Sequence, residues 1–321
     1  NLDIAEKRVP QDGRIKTDVG GGEVDLRVST FPAVYGEKIV MRVLDKSSLA
    51  LKLTDVGFSE ENMAVFAGAI KRPSGLVLVT GPTGSGKTTT LYSALNEVVS
   101  PEKNVITLED PVEYELDDIN QGQINVKAGL TFATGLRSIL RQDPDIIMVG
   151  EVRDLETASL VIRAALTGHL VFSTLHTMDA AATVTRLIDI GLEPFLISSS
   201  LAAVVAQRLA RRTCPKCRTD YSPPTKTLST VGVDVGGIKF QRGKGCKHCS
   251  LTGYKGRIAL LEVVSITGPV KDLVCSGASV REIRSQFREE GFKSLVEDGI
   301  KKALDGVTTL EEVLRVAQTE D

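Results

Sequence analysis

The sequence lacks any run of about 20 apolar residues, the length that an α-helix needs to cross a membrane. It also lacks the charged, then apolar, then small-residue pattern of a secretory signal. Neither sign of charge is in excess, because 39 Lys and Arg residues stand against 41 Asp and Glu residues. A formal net charge of −2 gives no general attraction for nucleic acid or anionic lipid. These absences predict a soluble protein that does not bind nucleic acid through its overall charge.

Cysteines are few and odd in number, which argues against a framework of disulfide bonds. Four of them form two C-x-x-C pairs, Cys214 with Cys217 and Cys246 with Cys249. Four thiolates in two such pairs suit a tetrahedral, structural Zn²⁺. The separation of the pairs exceeds that of a usual zinc ribbon, so redox-active pairs remain the alternative. We expect zinc, a reducing cytosolic compartment, and a buried apolar setting for the fifth cysteine, Cys275.

The chain of 321 residues is long for one hydrophobic core, so two or three domains are expected. It opens with a helix-like segment, Leu2 to Lys7, and without an initiator Met, which indicates a piece of a longer protein. Composition, together with the Gly, Pro and polar residues that mark turns and loops, predicts five regions: an α+β domain over 1–45, a linker over 46–58, an α/β core over 59–210, a cysteine module over 211–262 and helices over 263–321.

Two segments of the first region have the pattern of strands. Val24 to Ser29 alternates apolar and polar residues, and Ile39 to Leu44 is apolar except for Arg42. We expect both to lie in a small antiparallel sheet. The guanidinium groups of Arg14, Arg27 and Arg42 are suited to binding phosphate, although arginines on strands ordinarily lie on a solvent-exposed face of the sheet.

The strongest motif begins after the apolar run Leu76 to Val79 and fits the G-x-x-x-x-G-K-T pattern of a P-loop. Its glycines let backbone N–H groups turn inward, and the next helix adds the positive end of its dipole, so a phosphate chain fits there. Lys87 would reach the β and γ phosphates, and the Thr88 hydroxyl would bind Mg²⁺. An ordinary Gly-rich turn is the alternative. The predicted nucleotide contacts are Gly81, Pro82, Thr83, Gly84, Ser85, Gly86, Lys87, Thr88 and Thr89.

Carboxylates follow two further apolar runs, where ligands of open α/β sheets bind. Glu109, Asp110 and Glu113 come after Val105 to Leu108, and they could hold Mg²⁺ or orient water, or form a polar turn. The run Ile146 to Val149 is similar to a Walker B strand, but Gly150 occupies the usual Asp position. We therefore expect Glu151 to polarise the attacking water.

A fourth apolar run, Leu170 to Thr174, lies between His169 and His176. We expect this strand to lie beside the P-loop strand, with His176 bonded to the γ phosphate or to Glu151. A purely structural histidine remains the alternative. These runs alternate with helical stretches such as Leu155 to Leu166, so a mostly parallel sheet wrapped by helices is predicted.

Helical periodicity returns beyond Gly268. Val280, Ile283 and Phe287 form one apolar stripe, and Leu295 to Leu304 forms a second helix. Thr308 and Glu311 have the spacing of a capping box for a third helix. We expect these helices to pack at borders between subunits.

The order and spacing of these motifs resemble the Walker A, Asp, Walker B and His boxes of the secretion ATPase superfamily of type II and type IV secretion. The four boxes are 81–88, 108–113, 140–154 and 167–177. The resemblance covers nearly the whole chain, and is closest to the type IV pilus assembly branch, with the type II secretion branch next. It implies a RecA-like core, a PAS-like N-terminal domain, and a hexameric ring that hydrolyses ATP to drive extrusion of pilin subunits.

The resemblance also assigns roles to single residues. Lys87 and Thr88 would hold phosphate and Mg²⁺, Glu151 would be the catalytic carboxylate, and His176 would sense the γ phosphate. Glu109 and Glu113 match the acidic box. Arg14 and Arg27 match arginines that the preceding domain sends toward the phosphates. The four-cysteine motif agrees with zinc, and Met178 departs from the Asn that the superfamily usually has there.

The implied partners are ATP and ADP, further copies of the chain in a homohexamer, and an inner-membrane platform protein. The expected location is cytoplasmic, peripheral at the inner membrane. A type II secretion ATPase shares every motif, and a nucleotide switch would share all but the need for Glu151. A DNA-translocating ATPase would need a basic channel, which the near-neutral charge argues against.

Overall fold

The computed structural model of the protein describes residues 2–19, 22–45, 52–224, 227–228 and 239–317. Contacts divide the chain into two units, Asn1–Ala50 and Leu51–Asp321.

The first unit contains a three-stranded antiparallel sheet. Its strands are β1 Gln11–Val19, β2 Gly22–Ala33 and β3 Gly36–Asp45, in that order across the sheet. The two predicted strands are confirmed as β2 and β3, and β1 is an additional strand. The helix predicted at Leu2 to Lys7 is wrong, because side chains satisfy that backbone locally. The Asp3 carboxylate accepts from the Ala5 N–H, and the Gln11 amide donates to the carbonyls of Asp3 and Glu6.

The second unit contains a seven-stranded sheet and a separate hairpin. Its strands are β4 Gly75–Thr80, β5 Val105–Glu109, β6 Asn120–Gln123, β7 Ile146–Val149, β8 Leu170–Leu175, β9 Leu201–Thr213, β10 Arg218–Tyr221, β11 Phe240–Gly243 and β12 Tyr254–Ser265. β10 and β11 form the hairpin, and the order across the seven-stranded sheet is β12-β9-β4-β8-β7-β5-β6. All neighbours in this sheet are parallel except β12 and β9, which are antiparallel. The predicted mostly parallel α/β core is confirmed.

Helices cover both faces of this sheet. They are α1 Leu53–Val56, α2 Glu60–Ile70, α3 Lys87–Val98, α4 Phe132–Ile139, α5 Leu155–Leu166, α6 Ala180–Asp189, α7 Pro194–Ser200, α8 Gly268–Cys275, α9 Val280–Glu289, α10 Leu295–Leu304 and α11 Leu310–Ala317. β4 is buried along its whole length, because its alternate side chains enter two cores. Leu76 and Leu78 pack with residues of α5 to α9, whereas Val77 and Val79 pack with α1 to α3.

Two of the predicted region boundaries are displaced in the structure. Residues 46–51 of the predicted linker lie outside the described residues. The rest of it contains α1, whose Leu53 and Val56 are 5% and 7% exposed, so this segment belongs to the core. The predicted cysteine module extends too far, because β12 pairs with β9 and residues 254–262 therefore join the central sheet.

The helices predicted beyond Gly268 are present. Ile283 and Phe287 are buried on α9, as the apolar stripe predicts. The cap of α11 is displaced by one residue: the Glu312 N–H donates to the Thr309 hydroxyl, whereas the Thr308 hydroxyl donates to the Arg211 carbonyl.

A buried ion pair from α10 covers the edge strand β12. Asp298 accepts the Leu261 N–H at 2.8 Å, and the Lys302 ammonium donates to the Ala259 carbonyl at 2.7 Å and to Asp298. The side chains are 2% and 10% exposed. Burial raises the pKa of Asp298 and lowers that of Lys302, while each partner's charge opposes the change. The pair satisfies β12 backbone groups that face away from β9.

Lys302→Met should destabilise the second unit, because it leaves the Asp298 carboxylate buried without its cation. Loss of one partner of a buried pair costs about 3–5 kcal/mol. The free energy of unfolding in urea measures the change.

The matched control is Lys301→Met. Lys301 is 54% exposed and lies 3.7 Å from Glu61, which is 65% exposed. An exposed pair of this kind contributes about 0–1 kcal/mol. Equal losses in the two variants would contradict a structural role for the buried pair.

Candidate functional site

The predicted P-loop joins β4 to α3 at the carboxyl edge of the sheet. Gly81, Gly84 and Gly86 have φ values of +149°, +78° and +87°, which side-chain-bearing residues rarely adopt. Gly86 is the left-handed N-cap of α3. Of the predicted nucleotide contacts, Pro82, Thr83 and Gly84 are exposed, Thr88 and Thr89 are half-buried in the first turn of α3, and Ser85 is buried. The strand, loop and helix expected of this motif are therefore in place.

Lys87 folds back over the loop. Its ammonium donates to the carbonyls of Gly81 at 2.8 Å and Pro82 at 3.1 Å. Burial lowers the pKa of Lys87, and the negative charge of Glu151 opposes this shift. Lys87 and Glu151 are thus within electrostatic reach of each other, although they come from different strand ends.

The loop rests directly on β9. A Cβ on Gly81 would collide with the Gln207 carbonyl, and one on Gly86 would lie 2.9 Å from the Gln207 side-chain nitrogen. The Ser85 hydroxyl is buried and has no hydrogen-bond partner among the described residues. The loop has no room for side chains at Gly81 and Gly86, and it carries the unpaired Ser85 hydroxyl and the Lys87 ammonium. These features fit the binding of a phosphate chain.

Glu151 follows β7 and lies beside the end of β8. Its carboxylate accepts from the Arg153 guanidinium at 2.6 Å and lies 3.6 Å from His176 Nε2. The hydrogen bond to Glu151 raises the pKa of Arg153. The side chain of Glu151 is 15% exposed, so the carboxylate is reachable from solvent. His176 thus lies close to Glu151, but at a distance longer than that of the hydrogen bond predicted as one of its two alternatives.

Gly150 leaves the usual Walker B position without a side chain. Its N–H donates to the Leu108 carbonyl at 2.8 Å, and its carbonyl accepts from the Thr174 hydroxyl at 2.7 Å. Its backbone therefore fixes the approach of β7 to β5 and β8. Among the predicted residues, the Thr88 hydroxyl is the one near the loop that fits Mg²⁺ bound with phosphate.

Glu109 and His169 lie in other environments. Glu109 is 3% exposed and accepts hydrogen bonds from Tyr92, from Thr107 at 2.6 Å and from Gln121 at 3.1 Å. Burial raises the pKa of its carboxyl, and these donors act in the opposite direction. His169 Nδ1 lies 2.9 Å from the Ala164 carbonyl at the end of α5, before β8. These hydrogen bonds hold secondary structure together, and among the described residues none joins Glu109 or His169 to Glu151 or Lys87.

Three predicted arginines form a row on the sheet of the first unit. Arg14 pairs across the strands with Arg27, and Arg27 with Arg42, so all three lie on one face. The Arg14 guanidinium also binds the Asp25 carboxylate, which is 2% exposed.

The four paired cysteines converge beside the β10–β11 hairpin. Their sulfurs all lie within 4.8 Å of one another, with three separations of 3.8–3.9 Å. Tetrahedral zinc with bonds of about 2.3 Å places its sulfurs about 3.8 Å apart, whereas a disulfide needs about 2.05 Å. Backbone N–H groups of Cys246 and Gly253 donate to Cys249 Sγ. The donor set fits Zn²⁺.

Cys275 lies outside this cluster, at the end of α8. It is exposed, so the predicted buried setting is wrong. The last turn of the short helix directs this residue to the surface, while Val270 and Val274 fill the core.

The sequence analysis did not assign three polar residues that lie around the loop to the site. The Thr80 hydroxyl accepts the Thr177 N–H at 3.0 Å and donates to the Leu175 carbonyl, which joins β4 to the segment after His176. Gln207 and Arg208 underlie the loop from β9, where Arg208 donates to the Met178 carbonyl at 2.8 Å. The sequence feature that could have indicated Gln207 and Arg208 is that they form a polar pair inside the apolar run that begins at Leu201.

No helix among the described residues combines the length and the apolar character that crossing a bilayer requires.

Comparison with known proteins found close relatives of two kinds. The chain is 52% identical over 319 residues to the type IV pilus assembly ATPase PilB of Myxococcus xanthus, covering 98% of this chain and 56% of the relative. It is 50% identical over 318 residues to type II secretion system protein E of Aeromonas hydrophila, covering 99% and 63%. The chain thus spans less than two thirds of the length of either relative.

A solved structure of the pilus retraction motor PilT with bound ADP has a similar fold, with a TM-score of 0.70 and 27% identity, covering 98% of this chain and 78% of that one. The family model described as "Type II/IV secretion system protein" matches residues 1–315. The chain therefore belongs to the type II/IV secretion system protein family, as its motifs predicted.

Proposed function

We propose that this chain is the motor part of an ATPase that hydrolyses ATP to drive extrusion of pilin subunits in type IV pilus assembly. The observation that carries this proposal is the approach of His176 to within 3.6 Å of Glu151, at the ends of β8 and β7, of which β8 lies next to β4, the strand that leads into the P-loop. A protein that only binds nucleotide does not need a carboxylate in that place, whereas an enzyme that hydrolyses ATP needs one to accept a proton from water.

Each group has a defined task in the proposed reaction. The loop N–H groups and Lys87 bind the phosphates, and Thr88 would hold Mg²⁺, which neutralises developing charge when bound. Glu151 accepts a proton from water as the water oxygen bonds to the γ phosphorus, and the bond from that phosphorus to the bridging oxygen of ADP breaks. His176 contacts Glu151 and keeps the carboxylate in place for this transfer.

The assembled machine is also part of the proposal. We expect a homohexamer at the cytoplasmic face of the inner membrane, bound to a platform protein there, with the C-terminal helices at subunit borders. A type II secretion ATPase is the second candidate, which the 50% identity to the Aeromonas hydrophila protein supports. Both candidates share the reaction and differ in the platform protein that they bind.

Glu151→Gln should abolish steady phosphate release and leave nucleotide binding intact, because the amide keeps the shape but takes up no proton. General-base catalysis contributes about 10²–10⁴-fold to rate. A phosphate-release assay and a nucleotide-binding titration on the same samples measure the two properties.

Glu156→Gln is the matched control, since Glu156 is 58% exposed and pairs with Arg137 on the surface. Its phosphate release should equal that of the unmodified chain. An unchanged rate in Glu151→Gln would remove Glu151 from the mechanism.

Arg14 and Arg27 are proposed to reach the phosphates and to stabilise charge in the transition state. Their place in a row of arginines on one sheet face supports an anion-binding role. Arg27→Gln should lower kcat for phosphate release about tenfold or more. Arg8→Gln, at a residue 88% exposed and paired with Glu6, is the control and should change nothing. Equal rates for both variants would contradict the assignment of Arg27.

The cysteine cluster is proposed to hold one structural Zn²⁺ on Cys214, Cys217, Cys246 and Cys249. Elemental analysis of the purified chain should give one zinc per chain, and Cys217→Ser should lower both zinc content and thermal stability. Cys275→Ser removes the cysteine outside the cluster and should retain full zinc. A metal-free chain with two disulfides would support the redox alternative instead.

A further inference from the structure

Gln207 is a buried side-chain amide at the base of the P-loop. It lies on β9 one residue beyond Ala206, which pairs with Thr80 at the end of β4. Its side chain is 1% exposed, although its neighbours from Leu201 to Ala206 are all apolar. A buried amide is costly unless its polar atoms are hydrogen-bonded, so its partners define its role.

Both polar ends of this amide are bonded to the loop or to the helix that follows it. The side-chain nitrogen donates to the Ser85 carbonyl at 2.8 Å. The side-chain oxygen accepts from the Thr90 hydroxyl at 2.7 Å. The Ser85 carbonyl can only accept, so it fixes which end of the amide faces the loop.

The bond to Ser85 fixes the direction of a peptide unit. In a trans peptide the C=O and the following N–H point in opposite directions. With the Ser85 carbonyl held toward β9, the Gly86 N–H points away from β9, into the loop. Among the hydrogen bonds of the described residues, none uses that Gly86 N–H. It is therefore a free donor on the side where an anion would bind.

We propose that Gln207 is a positioning residue of the phosphate site, which holds the Ser85–Gly86 peptide with its N–H toward the phosphates. This inference rests on the proposed nucleotide-binding function. Gly86 has φ of +87°, and glycine adopts either sign of φ readily, so this peptide has little resistance of its own to rotation. Rotation would turn the Ser85 carbonyl, with its partial negative charge, toward the phosphates.

The test compares Gln207→Met with the unmodified chain in equilibrium binding of N-methylanthraniloyl-ADP. Methionine keeps the size and apolar packing of the side chain but cannot donate to Ser85. Loss of a hydrogen bond to a charged group, such as that from the Gly86 N–H to a phosphate, changes a binding constant on the order of ten- to hundredfold. We expect the dissociation constant of Gln207→Met to rise by about tenfold or more.

A second readout follows the Gly86 amide directly. In ¹⁵N-glycine-labelled protein, addition of ADP should shift the Gly86 N–H resonance in the unmodified chain and leave it nearly unshifted in Gln207→Met. A purely structural contribution of Gln207 to folding would change the stability but not this response.

Asn62→Leu is the matched control. Asn62 is also a buried amide, 4% exposed, and donates at 3.1 Å to the Leu261 carbonyl, on the side of β12 that faces away from β9. We expect this variant to lose stability to urea and to bind the ADP analogue as the unmodified chain does.

The outcomes separate the inference from the proposed function. Unchanged affinity and an unchanged Gly86 response in Gln207→Met, beside an unmodified chain that binds the analogue, would overturn the role of Gln207 alone. An unmodified chain that fails to bind the analogue would overturn the proposed nucleotide site and this inference together. A parallel loss of affinity in Asn62→Leu would show a general effect of stability and would also overturn the inference.

Discussion

The backbone of the P-loop can hold an anion only if it is fixed in one conformation, and hydrogen bonds from the neighbouring strands fix it on both sides of β4. On one side, the Gly81 N–H and the Thr80 hydroxyl bond to the Leu175 carbonyl at the end of β8. On the other side, Gln207 of β9 binds the Ser85 carbonyl. The order of the strands places Glu151 and His176 next to the same loop. The candidate site therefore depends on this sheet order more than on any single side chain.

The sequence could predict those elements whose signal is local. The apolar run before Gly81 predicted a strand, and the glycines after it predicted a loop that leads into a helix. These predictions hold because the backbone conformation at each position favours those residue types. The sequence analysis also expected β8 to lie beside β4. It placed His176 near the γ phosphate or Glu151, because parallel strands present their carboxyl ends at one edge. The family followed from the spacing of these motifs.

Other features depend on partners distant in the chain, which no periodicity reveals. Thr90 bonds to Gln207 across 117 residues, and Thr80 bonds to Thr177 across 97. The sequence indicates such contacts only by polar residues in apolar strands. Glu109 belongs to the acidic box, which was predicted to lie at the site, yet Tyr92 and Gln121 enclose its carboxylate. The end of the cysteine module was misplaced for a related reason, because pairing with β9 draws residues 254–262 into the sheet.

β9 connects two sites that the sequence separates. It runs from the floor of the P-loop at Gln207 to Thr213, directly before the first cysteine of the cluster, and β12 pairs with it from Ala203 to Thr213. At about 3.3 Å per residue, Gln207 and Thr213 lie roughly 20 Å apart along this strand. A strand hydrogen-bonded along such a length stretches very little. The P-loop floor and the cysteine cluster are therefore attached to one strand, whose pairing with β12 is continuous from Ala203 to Arg211 and shifts register before Thr213.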